Sequence, residues 1–177
     1  DVSVMLSHTE SDMWLFAVCL LFTGCRSGEL NALQVKHIDF DTGTISIEQS
    51  ACYPINQAEI KQPKTLNSKR VIPIFKTIQE PLYEHIRTLK TNDFVFGGKT
   101  PMSKTMLRKR WDRFMKECNL NINMHQLRHA YASILYRSGI DPKTAQHLLG
   151  HADIQTTMNI YTDFSVEKGT DAALKAE

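Results

Sequence analysis

Cysteine is sparse in this 177-residue chain: Cys19, Cys25, Cys52 and Cys118 are the four, scattered without C-x-x-C spacing. A chain of this length buries a core without staples, so they read as reduced residues rather than a disulfide framework or a thiolate metal site. Long apolar runs are missing too. The longest, Met13–Phe22, has ten residues, against the ~18 needed to span a bilayer, and no basic-then-apolar leader precedes it. There is no repeat, low-complexity tract or long Pro/Gly/Ser linker, which points to one domain. Disorder and collagen-like fibres are excluded by a composition 42% hydrophobic, 23% charged and 8% aromatic. The expectation is a soluble protein with no membrane partner. Because it starts at Asp1 rather than Met, it is expected to be a processed or excised piece of something longer.

Net charge is also small, +2 from 21 Lys+Arg and 19 Asp+Glu, but its distribution is uneven. Residues 61–76 hold Lys61, Lys64, Lys69, Arg70 and Lys76 with no acid, and 99–116 hold seven basic groups against Asp112. Twelve of the 21 cations thus fall in two short segments. Such segregation is the footprint of a polyanion-binding surface, although a single basic helix is more commonly just a solvated face.

Helical periodicity covers Asp12–Thr23, closed by Gly24, and Ser27–Leu33, with Ser27 as N-cap and Arg26 between the two helices. Short β-rich runs follow at Ile38/Phe40, Thr44–Ile47 and Val71–Ile74. Helices resume at Glu80–Lys90 with Pro81 in the first turn, Ser103–Cys118, Met124–Arg137, Asp141–Gly150 and from Asp153 through Tyr161. Within Ser103–Cys118, Leu107, Trp111, Phe114 and Cys118 form an apolar stripe that leaves Lys109, Arg113 and Lys116 outward. The fold expected is α+β and mainly α-helical, a helical domain with a small antiparallel three-stranded sheet.

Four stretches stand out: Thr23-Gly-Cys-Arg26-Ser-Gly-Glu29-Leu, Pro63-Lys64-Thr, His125-Gln-Leu-Arg128-His129, and Leu149-Gly-His151 with Tyr161 ten residues on. Each is weak alone. An isolated arginine is usually a surface ion-pairing residue, an isolated lysine is solvated, a His after Leu-Gly is a satisfied or capping residue, and a tyrosine at a helix end is packing. In this identity and order they resemble the catalytic domain of the tyrosine recombinases, in particular phage and conjugative-transposon integrases, over about Asp12–Asp163. The resemblance assigns Arg26, Lys64, His125, Arg128, His151 and Tyr161 as the catalytic set. It gives Glu29 the task of orienting Arg26 or nearby backbone.

Residue chemistry makes sense of that set on a phosphodiester. Guanidinium groups are permanently charged and fork onto phosphoryl oxygens, which suits Arg26 and Arg128. A phenol has pKa ~10, so Tyr161 needs nearby positive charge and hydrogen bonds to attack. Lys64, on a basic turn, can protonate the departing 5′-oxygen. His125 and Arg128, three apart on a helix, share a face. His125 and His129 also form H-x-x-x-H, but Gln126 stands where a zincin has its Glu and no third ligand is evident, so no metal is assigned. No phosphate-binding glycine motif is present, and no cofactor is expected.

The resemblance implies cleavage and rejoining of double-stranded DNA through a 3′-phosphotyrosine. It further implies a homotetramer on two duplexes, monomeric when isolated, with accessory DNA-bending or directionality factors, in the bacterial cytoplasm or host cell of a mobile element. An N-terminal DNA-binding domain of the family is not in residues 1–177. Lys61, Lys69, Arg70, Lys104 and Arg108 are the expected DNA-facing cations. Two rivals stay open: a type IB topoisomerase, which uses the same chemistry, and a DNA-binding module without catalysis.

Overall fold

The computed structural model describes residues 2–62 and 69–174. Its centre is α2 (Trp14–Thr23), whose residues Phe16–Leu21 are all buried, as an all-round apolar helix must be. A short helix not foreseen from the sequence, α1 (Val2–Ser7), precedes it. Gly24 ends α2 with φ +62° and donates its N–H to Leu20 O at 3.1 Å. α3 (Ser27–Asn31) follows, but its N-cap is Arg26 rather than Ser27. Glu29 takes over the capping by accepting the Arg26 backbone N–H at 2.8 Å.

The expected antiparallel sheet is present: β1 (Ile38–Asp39), β2 (Thr44–Ile47) and β5 (Arg70–Pro73), in the order β1-β2-β5. Ile45 faces Ile38 on one side and Ile72 on the other, so a continuous isoleucine face turns inward. A second, two-stranded sheet of β3 (Ser50–Cys52) and β4 (Glu59–Lys61) has no counterpart in the sequence reading. All three β4 residues are exposed, which removes the alternation that marks a strand.

α4 (Lys76–Ile86) begins earlier than expected and carries Pro81 in its interior. The carbonyl deprived of a partner is that of Thr77, an exposed residue, while Ile78, Leu82 and Ile86 stay inside. Ser103 Oγ caps α5 (Lys104–Glu117), and Asn123 with Gln126 closes a capping box on α6 (Met124–Arg137). Asp141 and Pro142 open α7 (Pro142–Leu149), which Gly150 ends at φ +67°. The final helix, α8 (Ile154–Leu174), continues well past Tyr161. α6, α7 and α8 share a small core of their own, made by Tyr131, Ala132, Leu135, Ala145, Leu149 and Tyr161. Among the described residues no helix is long and apolar enough to cross a membrane.

Candidate active site

Separate segments of the chain converge on one cavity of about 370 Å³, lined by Arg26, His125, Arg128, His129, His151 and Ile160 among others. The turn between α2 and α3 supplies Arg26. Its guanidinium donates to Glu29 Oε1 at 2.8 Å and to Gly150 O at 3.2 Å, and its side chain is 45% exposed. α6 supplies Arg128, 4% exposed, whose Nη1 donates to Gly24 O at 2.6 Å. That approach depends on glycine: a Cβ at Gly24 would run into the Tyr131 ring on the same α6.

Arg128 Nη2 has no partner although it is buried. Burial and the neighbouring Arg26 charge press the Arg128 pKa down to about 10, so at neutral pH it remains a cation. Its carboxylate neighbour, Glu29, is already bonded to two other arginines. A buried guanidinium with an idle donor is costly in the free protein, and an anion in the cavity relieves it.

His151 follows the C-terminal turn of α7 and shares a 2.9 Å hydrogen bond between Nδ1 and Thr157 Oγ1. Burial, then the charges of Arg128 and Arg26, push its pKa down to about 4, so the ring is neutral at pH 7. His125 lies a turn before Arg128 and meets His129 edge to face, 4.6 Å between ring centroids. Its pKa is lowered by partial burial, then by the charges of His129, Arg128 and Arg26. Among the described residues, no three His, Cys, Asp or Glu side chains converge as metal ligands.

Tyr161 is not brought into this group. Its neighbour Ile160 lines the cavity, while the Tyr161 hydroxyl donates to Ile140 O at 3.0 Å. Burial, then the Asp141 charge, raises its pKa, opposite to the activation expected from the arginines and histidines. Lys64 lies outside the described residues.

Of the expected DNA-facing cations, Lys61, Lys69, Lys104 and Arg108 are exposed. Lys61 is 3.7 Å from Glu59, and Arg108 3.7 Å from Asp112. Arg70 is a correction: its side chain is 0% exposed and forks onto Glu29 at 2.9 and 3.2 Å. The two-residue period of β5 turns Arg70 inward with Ile72, while Val71 is 53% exposed. Arg70 and Thr157 are site neighbours that motif reading missed, and His129, quoted in its motif, was given no role at the site. For Arg70 the signal was there, in the alternation Arg70, Ile72, Ile74.

The chain matches the model of the phage integrase family over residues 4–168. It belongs to that family. The ICEBs1 integrase of Bacillus subtilis (strain 168) is 30% identical over 175 residues, covering 92% of this chain and 48% of the relative. Tyrosine recombinase XerA of Pyrococcus horikoshii is 28% identical over 169 residues, covering 92% and 54%. The structure of the Tn1549 transposon integrase in complex with transposon right end DNA superimposes with a TM-score of 0.77 at 23% identity, covering 97% of this chain and 63% of that one. This last likeness is one of fold, and it matches the mainly helical architecture with a small antiparallel sheet. The chain spans about half the length of these curated integrase-family relatives.

Proposed function

We propose that this chain is the catalytic domain of a tyrosine-type site-specific recombinase, cleaving and rejoining DNA with Tyr161 as nucleophile. The observation that carries the reading is the idle, buried Nη2 of Arg128 beside Arg26 in one cavity. Two guanidinium groups held there before substrate arrives are suited to the extra negative charge of a phosphodiester under attack. His125 and neutral His151 add ring nitrogens toward the same phosphate.

For reaction, the Tyr161 hydroxyl leaves Ile140 O, passes its proton to the neutral ring of His151, and its oxygen bonds to phosphorus. The bond to the 5′-oxygen breaks, and that oxygen takes a proton from Lys64. Reversal by a 5′-hydroxyl of a partner strand rejoins DNA without ATP, because the phosphotyrosyl link conserves the bond energy.

A path for the duplex beside the site is supported by α3 and the hairpin. A Cβ on Gly28 would meet Ala51 O at 2.5 Å, so β3 lies against the start of α3, and Ser50 pairs with Lys61 one strand further out. At the hairpin's far end, Asn56 O accepts from Lys104 N at 2.9 Å, joining it to basic α5. The twofold length of the relatives supports a further domain in the whole protein, for which the reading is an N-terminal DNA-binding domain that completes a clamp. The DNA in the Tn1549 integrase complex supports DNA as partner, which this reading takes as a duplex. Assembly would be a tetramer on two duplexes in the cytoplasm of a cell carrying the element.

The test is incubation with a library of nicked suicide duplexes followed by a denaturing gel. A covalent protein–DNA band lost in Tyr161→Phe is expected. Binding without any band would leave a DNA-binding module, and a band that persists in Tyr161→Phe would place the nucleophile elsewhere.

A further inference from the structure

Glu29 is shared. Its Oε1 accepts from Arg26 Nη1 at 2.8 Å and from Arg70 Nη1 at 3.2 Å, and its Oε2 accepts from the Arg26 backbone N–H at 2.8 Å and from Arg70 Nη2 at 2.9 Å. One buried carboxylate therefore holds one arginine at the cavity and another beneath it. Arg70 also donates from Nε to Leu148 O at 2.8 Å, and its Nη2 lies 3.9 Å from Cys25 Sγ. The turn that follows Leu148 rests on this guanidinium: a Cβ at Gly150 would stand 2.7 Å from Arg70 Nη1. Gly150 O in turn accepts from Arg26 Nη2 at 3.2 Å, and His151 comes next.

From these contacts we infer that Arg70 is a positioning residue, a strut from β5 that sets both Arg26 and the Gly150-His151 turn at the phosphate. The inference rests on the recombinase reading and goes beyond its six catalytic positions. β5 is paired along its length to β2, so the strut has a firm base. Only arginine fits the task, because a fork with separate donors reaches two carboxylate oxygens and a carbonyl together, whereas a lysine offers one compact ammonium. Without Arg70, Glu29 keeps its burial but loses the partner that most strongly holds it ionised, and its grip on Arg26 weakens. Arg26, nearly half exposed, then has little else to fix its orientation.

Arg70→Lys separates positioning from folding, since charge and most of the volume remain. Its melting temperature and DNA affinity should stay close to wild type, while single-turnover cleavage of a nicked duplex falls about 10²-fold, the usual consequence of misplacing a reacting group by about 1 Å. In an Arg26→Ala background the same substitution should lose at least tenfold of that effect, because the residue it acts through is gone. The Arg26 Nε–Hε heteronuclear NOE, read on DNA-free protein, should drop in Arg70→Lys. If Arg70→Lys does not fold, Arg70→Met combined with Glu29→Gln removes both charges together. Folded double variant with cleavage still depressed supports the strut, and cleavage restored along with the fold overturns it. Full cleavage by Arg70→Lys, equal losses in both Arg26 backgrounds, or an unchanged NOE also overturn it. An inactive wild type instead removes the recombinase reading, and the NOE still reports on the strut.

Discussion

The two halves of the candidate site are built differently. Arg26, Glu29, Arg70 and Arg128 sit on α3, β5 and α6 around the main core, tied by several buried hydrogen bonds. Tyr161 belongs to the smaller core of α6, α7 and α8, and its hydroxyl is held at Ile140 O, off the cavity. The guanidinium cradle is thus in place without any ligand, and the proposed nucleophile is kept apart from it. The hydroxyl's one neutral hydrogen bond contributes only about 0.5–1.5 kcal/mol, but the ring is buried in that small core against Tyr136, so moving the tyrosine also requires the core to repack. An anion in the cavity would bias that balance, since it satisfies Arg128 and leaves the hydroxyl a charged site to move toward.

The largest expected effect breaks the nucleophile half alone. Tyr161→Phe removes the attacking oxygen and one hydrogen bond, so covalent adduct should vanish on the gel while DNA affinity in a filter or anisotropy assay stays nearly unchanged. Tyr131 and Tyr136 are the tyrosines to test if adduct persists.

Next come the two buried arginines, whose stabilities should move in opposite directions. Arg70→Met leaves Glu29 without its main partner, and breaking a buried pair in this way typically costs about 3–5 kcal/mol. Arg128→Met removes a buried cation with an idle donor and no carboxylate of its own. Its unfolding midpoint in urea should hold or rise, while cleavage falls by on the order of 10²–10³-fold, as for loss of one preorganised transition-state donor. A destabilised Arg128→Met with the same shortfall as Arg70→Met would mean that both arginines are structural and the cradle is not poised for an anion.

What the sequence made legible follows the same division. Local chemistry was readable where Ser103 and Asp141 start their helices, each an oxygen acceptor three residues or fewer from the N–H it serves, while Asn123, which caps α6 in the same way, was not picked out. The pairing of Arg26 with Glu29 is local too, three residues apart within one turn. Nonlocal features were not. Arg70 looked like one more cation in a basic stretch, and only its contact with Glu29, 41 residues away, makes it a strut. Pro81 looked like a helix start because nothing in sequence tells which carbonyl faces water. The hairpin of β3 and β4 has strands too short and too exposed to pattern, and it is fixed by Gly28 and Lys104 from distant elements. Tyr161 was identified by motif, but its hydroxyl direction depends on how α8 seats against the turn at Ile140.

A smaller, pH-dependent effect sharpens the electrostatic half. Glu29 lies below the ordinary carboxyl range: burial alone would raise it, but the hydrogen bonds and charges of Arg70 and Arg26 prevail. A depressed acid contributes stability that is complete above its unfolded pKa and is lost as pH falls through the folded value. His151 is depressed to about 4 from 6.5, so between those values the unfolded chain binds a proton that the folded chain excludes, and stability rises with pH there. Urea unfolding should show stability declining from about pH 6.5 downward and more steeply once carboxylates titrate. Because His37 and His125 shift in the same direction, the decisive measurement is the difference from His151→Asn, whose slope between pH 6.5 and 4 should be shallower. An identical slope would mean that His151 titrates freely and is not embedded among the arginines.

The smallest effect concerns what keeps the tyrosine quiet. Asp141 caps α7 by accepting from Lys143 N and Thr144 N at 3.0 Å, and its charge adds to burial in raising the Tyr161 pKa. Asn accepts at an N-cap as well as Asp does, so Asp141→Asn should spare the helix apart from the charge–dipole contribution, about 0.3–1 kcal/mol. The Tyr161 phenol should then ionise at slightly lower pH, with burial still holding it above the ordinary phenol range. Ultraviolet titration of Asp141→Asn, with Tyr161→Phe in the same background to isolate the signal, reads this directly. Because the Ile140 contact survives, cleavage should rise less than tenfold. A large gain would show that Asp141's charge, rather than the carbonyl of Ile140, is what restrains the nucleophile.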